Sequence, residues 1–342
     1  MTIYFFIIIL AIIFGIIYER SVEYRKFLII SFSVFFVAVF GFRYRVGVDW
    51  SNYFKVYERL TEFPFRIDTI EIGYKYINVL AYQSDIGMPL VIFLCTVLFI
   101  YFTINAPSLI GVNPFYFFAI VAPYHLVMSG VNYTRQGVAL SIFIYAFSYL
   151  LNGNKNKFVF FILLASSFHY SSLLFLVLYF SEIRKVFLIP LSVTFIVGLA
   201  LATFVEFQQY LSTDMDNAGI YLRVGYILVP CFFLLVHNLL MPRLYNYKRM
   251  NIFIYISVPA MIIISLVSTT MADRISYFII LASTLYWMWI KKNNYNINYK
   301  ALHTYGDLVC FSASFTAFTI WCLYSSYIPY YRFDSLIYYW FD

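Results

Sequence analysis

A succession of long, nearly charge-free apolar runs limits this chain more than any other feature. They fall at about 3–18, 27–42, 87–105, 114–129, 131–151, 158–180, 186–205, 224–241, 252–270, 275–290 and 306–324. Several approach the ~20 residues that cross a bilayer as a helix, and the shorter ones can recruit flanking Tyr and Trp. Their continuity argues against a membrane β-barrel, whose strands alternate every second residue. At 63% hydrophobic and 11% charged residues, the chain is no ordinary soluble domain either. The fold class that follows is all-α: one polytopic transmembrane domain over 1–342, with about 10–12 transmembrane or re-entrant helices. The run at 3–18 lacks a basic start and a small-residue cleavage site, and reads as a retained span. Cys95, Cys231, Cys310 and Cys322 lie inside runs, far from any CxxC or histidine partner, and read as core.

Positive charge orients the spans. The connections 19–26, 152–157, 181–185, 242–250 and 291–300 hold thirteen of the 23 basic residues and only Glu19, Glu23 and Glu182 as acids. These connections are expected on the cytoplasmic side, which also accounts for the net positive charge without nucleic acid. The segment 43–86 is then external, with EIGYKYI (71–77) spaced for a helix lying in the interface. Eight of the ten lysines fall inside, whereas eight of the thirteen arginines fall outside. Topology is indifferent between the two residues, but bidentate recognition of phosphate or carboxylate favours the arginine fork.

One run breaks the alternation. Both 152–157 and 181–185 carry the cytoplasmic signature, yet a single apolar run separates them. A re-entrant helix pair over 158–180 resolves this and puts Ser167–Ser172 (SFHYSS) at its tip. Irregular backbone at that depth needs a cavity or a protein environment. The alternative is one span carrying a mid-membrane histidine.

The polar residues that stand against hydrocarbon form four groups. Gly41–Tyr53 (GFRYRVGVDWSNY) sets Arg43, Arg45, Asp49 and Trp50 at the end of a run, where the arginines either anchor to headgroups or bind an anion. Asp49 is placed to pair with one of them. Arg135 lies about one turn inside a span, beside Asn132 and Gln136, and needs an anionic ligand or an acidic partner such as Asp273. Asp273–Arg274 opens another run at the same level. His169, flanked by Ser166, Ser167, Ser171 and Ser172, is either hydrogen-bonded core or a general base. His125, His237 and His303 lack such company and are given no role. Glu71 opens EIGY in a polar segment, as a solvated charge or a site residue.

RYRVGVDWSNY, EIGY, NYTRQGVA, FHYSSL and ADRISYF occur in the order and rough spacing of the EpsG family, so that the chain resembles these Wzy-type bacterial polysaccharide polymerases over about 43–278. The first span and the tail YYRFDSLIYYWFD are the least family-like parts. The resemblance implies a membrane glycosyltransferase that joins undecaprenyl-diphosphate-linked oligosaccharide repeat units of O-antigen, capsule or other surface polysaccharide. It would act at the outer face of the bacterial cytoplasmic membrane, with a chain-length regulator and a flippase of the same pathway as partners. It leaves the base unassigned.

The chemistry of that reaction suits the residues. Negative charge builds on the departing diphosphate, and Arg43, Arg45, Arg135 and Arg274 would stabilise it with no metal or other cofactor. Only Asp214 and Asp216 keep a metal-dependent variant open. The acceptor hydroxyl needs a base, for which His169, Asp49 and Glu71 are the candidates; His169 is preferred because pairing with Arg43 or Arg45 would weaken Asp49. Trp50, Tyr53, Tyr74, Tyr133 and Gln136 could meet sugar, or the aromatics could belong to an interface belt, and Asp273 is an orienting partner. Two other readings compete: a flippase or transporter for lipid-linked oligosaccharides, which would more readily show internal repeats, and an O-antigen ligase-like enzyme that differs only in its acceptor.

Overall fold

The computed structural model describes residues 1–62, 70–182, 219–241, 248–294 and 300–333, and every regular element among them is helical. In order these are α1 (Thr2–Arg20), α2 (Arg25–Phe40), α3 (Trp50–Glu62), α4 (Ile72–Gln83), α5 (Met88–Leu109), α6 (Pro114–Tyr124) and a π-helical segment, His125–Asn132. Next come α7 (Thr134–Leu151), α8 (Lys155–Ser166), a 3₁₀ helix (Tyr170–Glu182), α9 (Ile220–Leu240), α10 (Lys248–Val267), α11 (Thr269–Asn293), α12 (Lys300–Tyr324) and a closing 3₁₀ turn (Ile328–Tyr331). Helices α1, α5, α9 and α12, and Met250–Val267 within α10, are each long and apolar enough to cross a bilayer. The chain is thus a polytopic all-α membrane protein. The run 186–205 and the pair Asp214 and Asp216 lie outside the described residues.

Helices α7 and α11 form the centre. Nearly every position from Gln136 to Leu150 and every one from Ile275 to Ile290 is buried, the pattern of a helix surrounded by protein on all sides. Phe143 of α7 packs edge-on against Phe278 of α11, with ring centroids 5.1 Å apart. Helix α5 flanks α7, while α9, α10 and α12 flank α11. The first turn of α7 meets the second turn of α11 where Gln136 exchanges hydrogen bonds with Arg274. The opposite end of the bundle carries the lysines. There Lys292 Nζ donates to Ile110 O at 2.8 Å, and Lys291 pairs with Asp307.

Two apolar runs do not make straight spans. Within 114–129 the axis turns by 77° between Pro114–Pro123 and His125–Asn132. Pro123 supplies the cause, since it lacks an N–H and its ring crowds the preceding turn. The run 158–180 is broken at Ser167–His169 between α8 and the 3₁₀ helix. Lys155 Nζ lies 5.8 Å from the centre of the Tyr179 ring. A continuous helix would hold those two residues ~36 Å apart, so the two halves lie side by side as a hairpin with His169 at its tip.

Helices α3 and α4 are too short to cross a membrane. They bury Tyr53, Leu60, Tyr74 and Ala81 against Val91, Ile92 and Cys95 of α5, and this brings the EIGY segment to the hairpin tip. The Gly73 N–H donates to Ser167 O at 2.6 Å, and a Cβ at position 73 would lie 2.5 Å from Ser167 Oγ. Glycine is required here because the two backbones touch.

Candidate functional site

The site is assembled from segments that are far apart in sequence. Glu71 is the N-cap residue of α4, yet its side chain does not cap the helix. The carboxylate turns into the protein instead, where it is 2% exposed and is shared between two partners. Arg135 Nη1, from the first turn of α7, lies 2.5 Å from Glu71 Oε2, and His169 Nδ1, from the hairpin tip, lies 3.1 Å from Oε1. Burial raises the Glu71 pKa, but the His169 hydrogen bond and the Arg135 charge outweigh it and hold the carboxyl below its ordinary range. An ionised carboxylate only accepts, so His169 presents Nδ1–H to it. The Arg135 side chain remains 31% exposed, which leaves a guanidinium edge within reach of a ligand.

The network continues through α7 into α11. Arg274 Nη1 donates to Gln136 Oε1 at 2.7 Å, Gln136 Nε2 returns a bond to Arg274 O at 3.2 Å, and the Arg274 guanidinium stacks 3.9 Å above the Tyr133 ring. One residue earlier, Asp273 Oδ1 is 2.5 Å from Arg223 Nε of α9. Asp273 is therefore the partner of Arg223 and not of Arg135. Arg223 escaped the sequence reading. Its signal was present, as an arginine on the margin of an apolar run on the arginine-rich side of the chain.

The loop 43–49 closes one edge. Asp49 N–H donates to Asn132 Oδ1 at 3.0 Å, at the end of the π segment, and Gly47 N–H donates to Tyr330 O at 2.7 Å. Gly47 has φ +106°, a conformation that glycine adopts without strain, and Arg45 is held at φ +53°. Asp49 pairs with neither Arg43 nor Arg45, which corrects the expectation that such a pair would weaken it. Burial raises its pKa above the ordinary carboxylate value, with Arg274 the larger and Arg135 a smaller opposing charge.

Arg43 does not face this cluster. It is 1% exposed and donates to Phe40 O, Thr96 Oγ1, Gly130 O, Val131 O and Thr134 Oγ1, at 2.8–3.4 Å. The carbonyls turned out by the π segment make this pocket, so Arg43 is a structural pin rather than a ligand for diphosphate. Arg45 is exposed and lies 5.1 Å from the centre of the Tyr44 ring, away from the ion pairs. Trp50 packs edge-on to Tyr44, and Tyr53 to Tyr74. Tyr133 and Gln136 serve Arg274. His125, expected to lack polar company, faces the Thr103 and Ser141 hydroxyls at 3.4 and 3.5 Å. Among the described residues no cluster of three or more His, Cys, Asp or Glu side chains could hold a metal ion.

Fold and site together define an integral membrane protein with a buried arginine–carboxylate–histidine network at one end of its helix bundle. The EpsG family model matches residues 26–331, and the chain belongs to the EpsG family of Wzy-like polysaccharide polymerases. The match runs beyond the 43–278 expected from motifs, and it takes in Tyr330 and Tyr331 of the tail that had read as least family-like. No curated protein and no solved structure matches the chain.

Proposed function

We propose that this EpsG protein polymerises oligosaccharide repeat units carried on undecaprenyl diphosphate, at the outer face of the cytoplasmic membrane, with Arg135 and Arg274 receiving the diphosphate. One observation carries this reading: Glu71 joins His169 and Arg135, and the three belong to separate motifs, FHYSS, EIGY and NYTRQG. A carboxylate shared in this way fixes the arginine before ligand arrives, and preorganised donors in a low-dielectric site stabilise a departing diphosphate best. His169 and Glu71 are then positioning residues for Arg135. Arg223, through Asp273, does the same for the second turn of α11, which carries Arg274.

The lysine-bearing end of the bundle lies opposite the site, as positive-inside orientation with an external site requires. In the same frame the hairpin of α8 and the 3₁₀ helix is re-entrant, with both of its ends on the cytoplasmic side. The test is to supply purified protein in liposomes with lipid-linked repeat unit alone. A ladder of extended products supports a polymerase. Transbilayer movement of the repeat unit without new bonds would replace this reading with a flippase, and products formed only with a lipid A core acceptor would replace it with a ligase.

A further inference from the structure

Three carboxylates converge on the site, and two of them are committed. Glu71 is held by Arg135 and His169, and Asp273 by Arg223. For Glu71 these partners hold the carboxyl below its ordinary range and make it a poorer proton acceptor, and Asp273 is taken up by its ion pair. Asp49 differs. Among the described residues it forms no ion pair, and the one hydrogen bond to its side chain is from Asn52 Nδ2 to Oδ1 at 3.4 Å.

The backbone beneath Asp49, by contrast, is gripped at three points: Asn132 holds its own N–H, Tyr330 O holds Gly47, and Arg45 sits in a left-handed conformation. A fixed main chain presenting an uncommitted, half-buried carboxylate is the arrangement that a general base needs. Arg274 and Arg135 both act on Asp49 through their charge, so it lies within the field of the two arginines assigned to the diphosphate. Burial nevertheless prevails over those charges, and a carboxylate raised in this way is a stronger base near neutral pH.

We infer that Asp49 is the catalytic base that takes the proton of the acceptor sugar hydroxyl. The inference rests on the polymerase reading and assigns the base to Asp49 in place of His169 or Glu71. The acceptor oxygen bonds to the anomeric carbon of the donor. The bond from that carbon to the phosphate oxygen breaks, and its electron pair leaves with the diphosphate. The hydroxyl proton passes to Asp49 and then to water from the half-exposed side chain.

Azide separates this role from a structural one, because it attacks an anomeric carbon without losing a proton. Wild-type protein in liposomes is given lipid-linked repeat unit with and without sodium azide. Chain extension, glycosyl azide and released undecaprenyl diphosphate are measured, together with binding of undecaprenyl diphosphate. Asp49→Asn is expected to extend chains ~10²–10⁴-fold more slowly, to form glycosyl azide within a few-fold of wild type and to bind the lipid diphosphate normally. Asp273→Asn, which loosens the α11 turn, is expected to lose both reactions. Chain extension by Asp49→Asn within a few-fold of wild type overturns the assignment, and so does a parallel loss of glycosyl azide. Wild-type protein that yields neither product overturns the polymerase reading itself, and the base assignment falls with it.

Discussion

Two polar clusters sit at opposite ends of the bundle, and their ingredients are nearly the same. At one end Glu71 binds His169 and Arg135. At the other, Asp307 accepts from Trp287 Nε1 at 3.0 Å and pairs with Lys291, while His237 and His303 stack with centroids 5.7 Å apart. Each cluster contains an acid, a cation, buried histidine and aromatic rings. What separates them is how the backbone delivers those groups. The Lys291 cluster comes from regular turns of α9, α11 and α12, and ordinary helix packing suffices to form it. The Glu71 cluster needs a helix start, a hairpin tip and the turn after a π segment, with Arg45 in a left-handed conformation and Gly73 pressed against Ser167. Irregular backbone at membrane depth persists where it lines a cavity or is buried in protein. The end that invests in it is the end we assign to the reaction.

Among the residues that distinguish the two clusters, the largest effect should come from the arginines of the Glu71 end. Arg135→Lys and Arg274→Lys keep the charge but lose the planar fork. Each is expected to slow polymerisation by ~10²–10³-fold while expression and membrane insertion, followed by labelling and gel filtration, stay normal. Lysine variants that polymerise at wild-type rates would dissolve the distinction between the two ends.

Glu71→Gln tests the shared carboxylate and adds a pH signature. The Glu71 pKa is lowered in the folded protein, so its ionised form stabilises the fold. That contribution is complete above the ordinary glutamate value of about 4.3 and is lost as pH falls through the lower, folded value. The wild-type melting temperature in detergent should therefore drop across the acid range below about pH 4, and Glu71→Gln should flatten that part of the profile. Turnover should fall in parallel, because Arg135 and His169 lose their common partner. An unchanged acid profile would mean that the ion pair contributes nothing to the fold.

Gly73 reads out the contact between α4 and the hairpin tip. Alanine there puts a Cβ 2.5 Å from Ser167 Oγ and 2.8 Å from Ser167 O, so one backbone must move. Displacing a positioned group by ~1 Å can cost up to ~10²-fold in rate. Gly225→Ala, whose added Cβ would have no atom within 4 Å, serves as the control and should leave turnover unchanged. Equal rates for the two variants would show that contact at 73 does not set the site.

Much of this was legible in the sequence. Long apolar runs fixed the helices, and arginine excess on one side marked the end that carries Arg135 and Arg274. Hydropathy does not report direction, which is why the bend after Pro123 and its consequence for Arg43 were missed. An arginine at the edge of a run looks the same whether it faces a ligand or a ring of carbonyls. Pair choice was the other gap. Asp273 finds Arg223 and not Arg135, and Asp49 pairs with no arginine among the described residues, because α9 and the hairpin tip supply partners that no local spacing reveals. Glu71 stood as either a solvated charge or a site residue in its polar segment, and its burial depends on Arg135 and His169, which reach it from α7 and the hairpin tip.

The smallest effect is expected at the other end, and it is the one that tests the comparison from below. The Lys291–Asp307 pair is about a fifth to a quarter exposed on each side, with side-chain exposures of 24% and 21%. A partly exposed pair of this kind contributes ~1 kcal/mol at most, and the Trp287 N–H bond to Asp307 contributes a comparable ~1 kcal/mol. Asp307→Asn keeps an acceptor for Trp287 and removes only the charge opposite Lys291. The expected result is a melting temperature lowered by a few degrees, with the folded fraction turning over within about twofold of wild type. Because His303 and His237 pack beside this pair and Trp287, a functional role for that end would show in the same variant as a loss of turnover out of proportion to the loss of fold. A fall matching that of Glu71→Gln would make the two clusters equals, and regular helix geometry would no longer mark the end without chemistry.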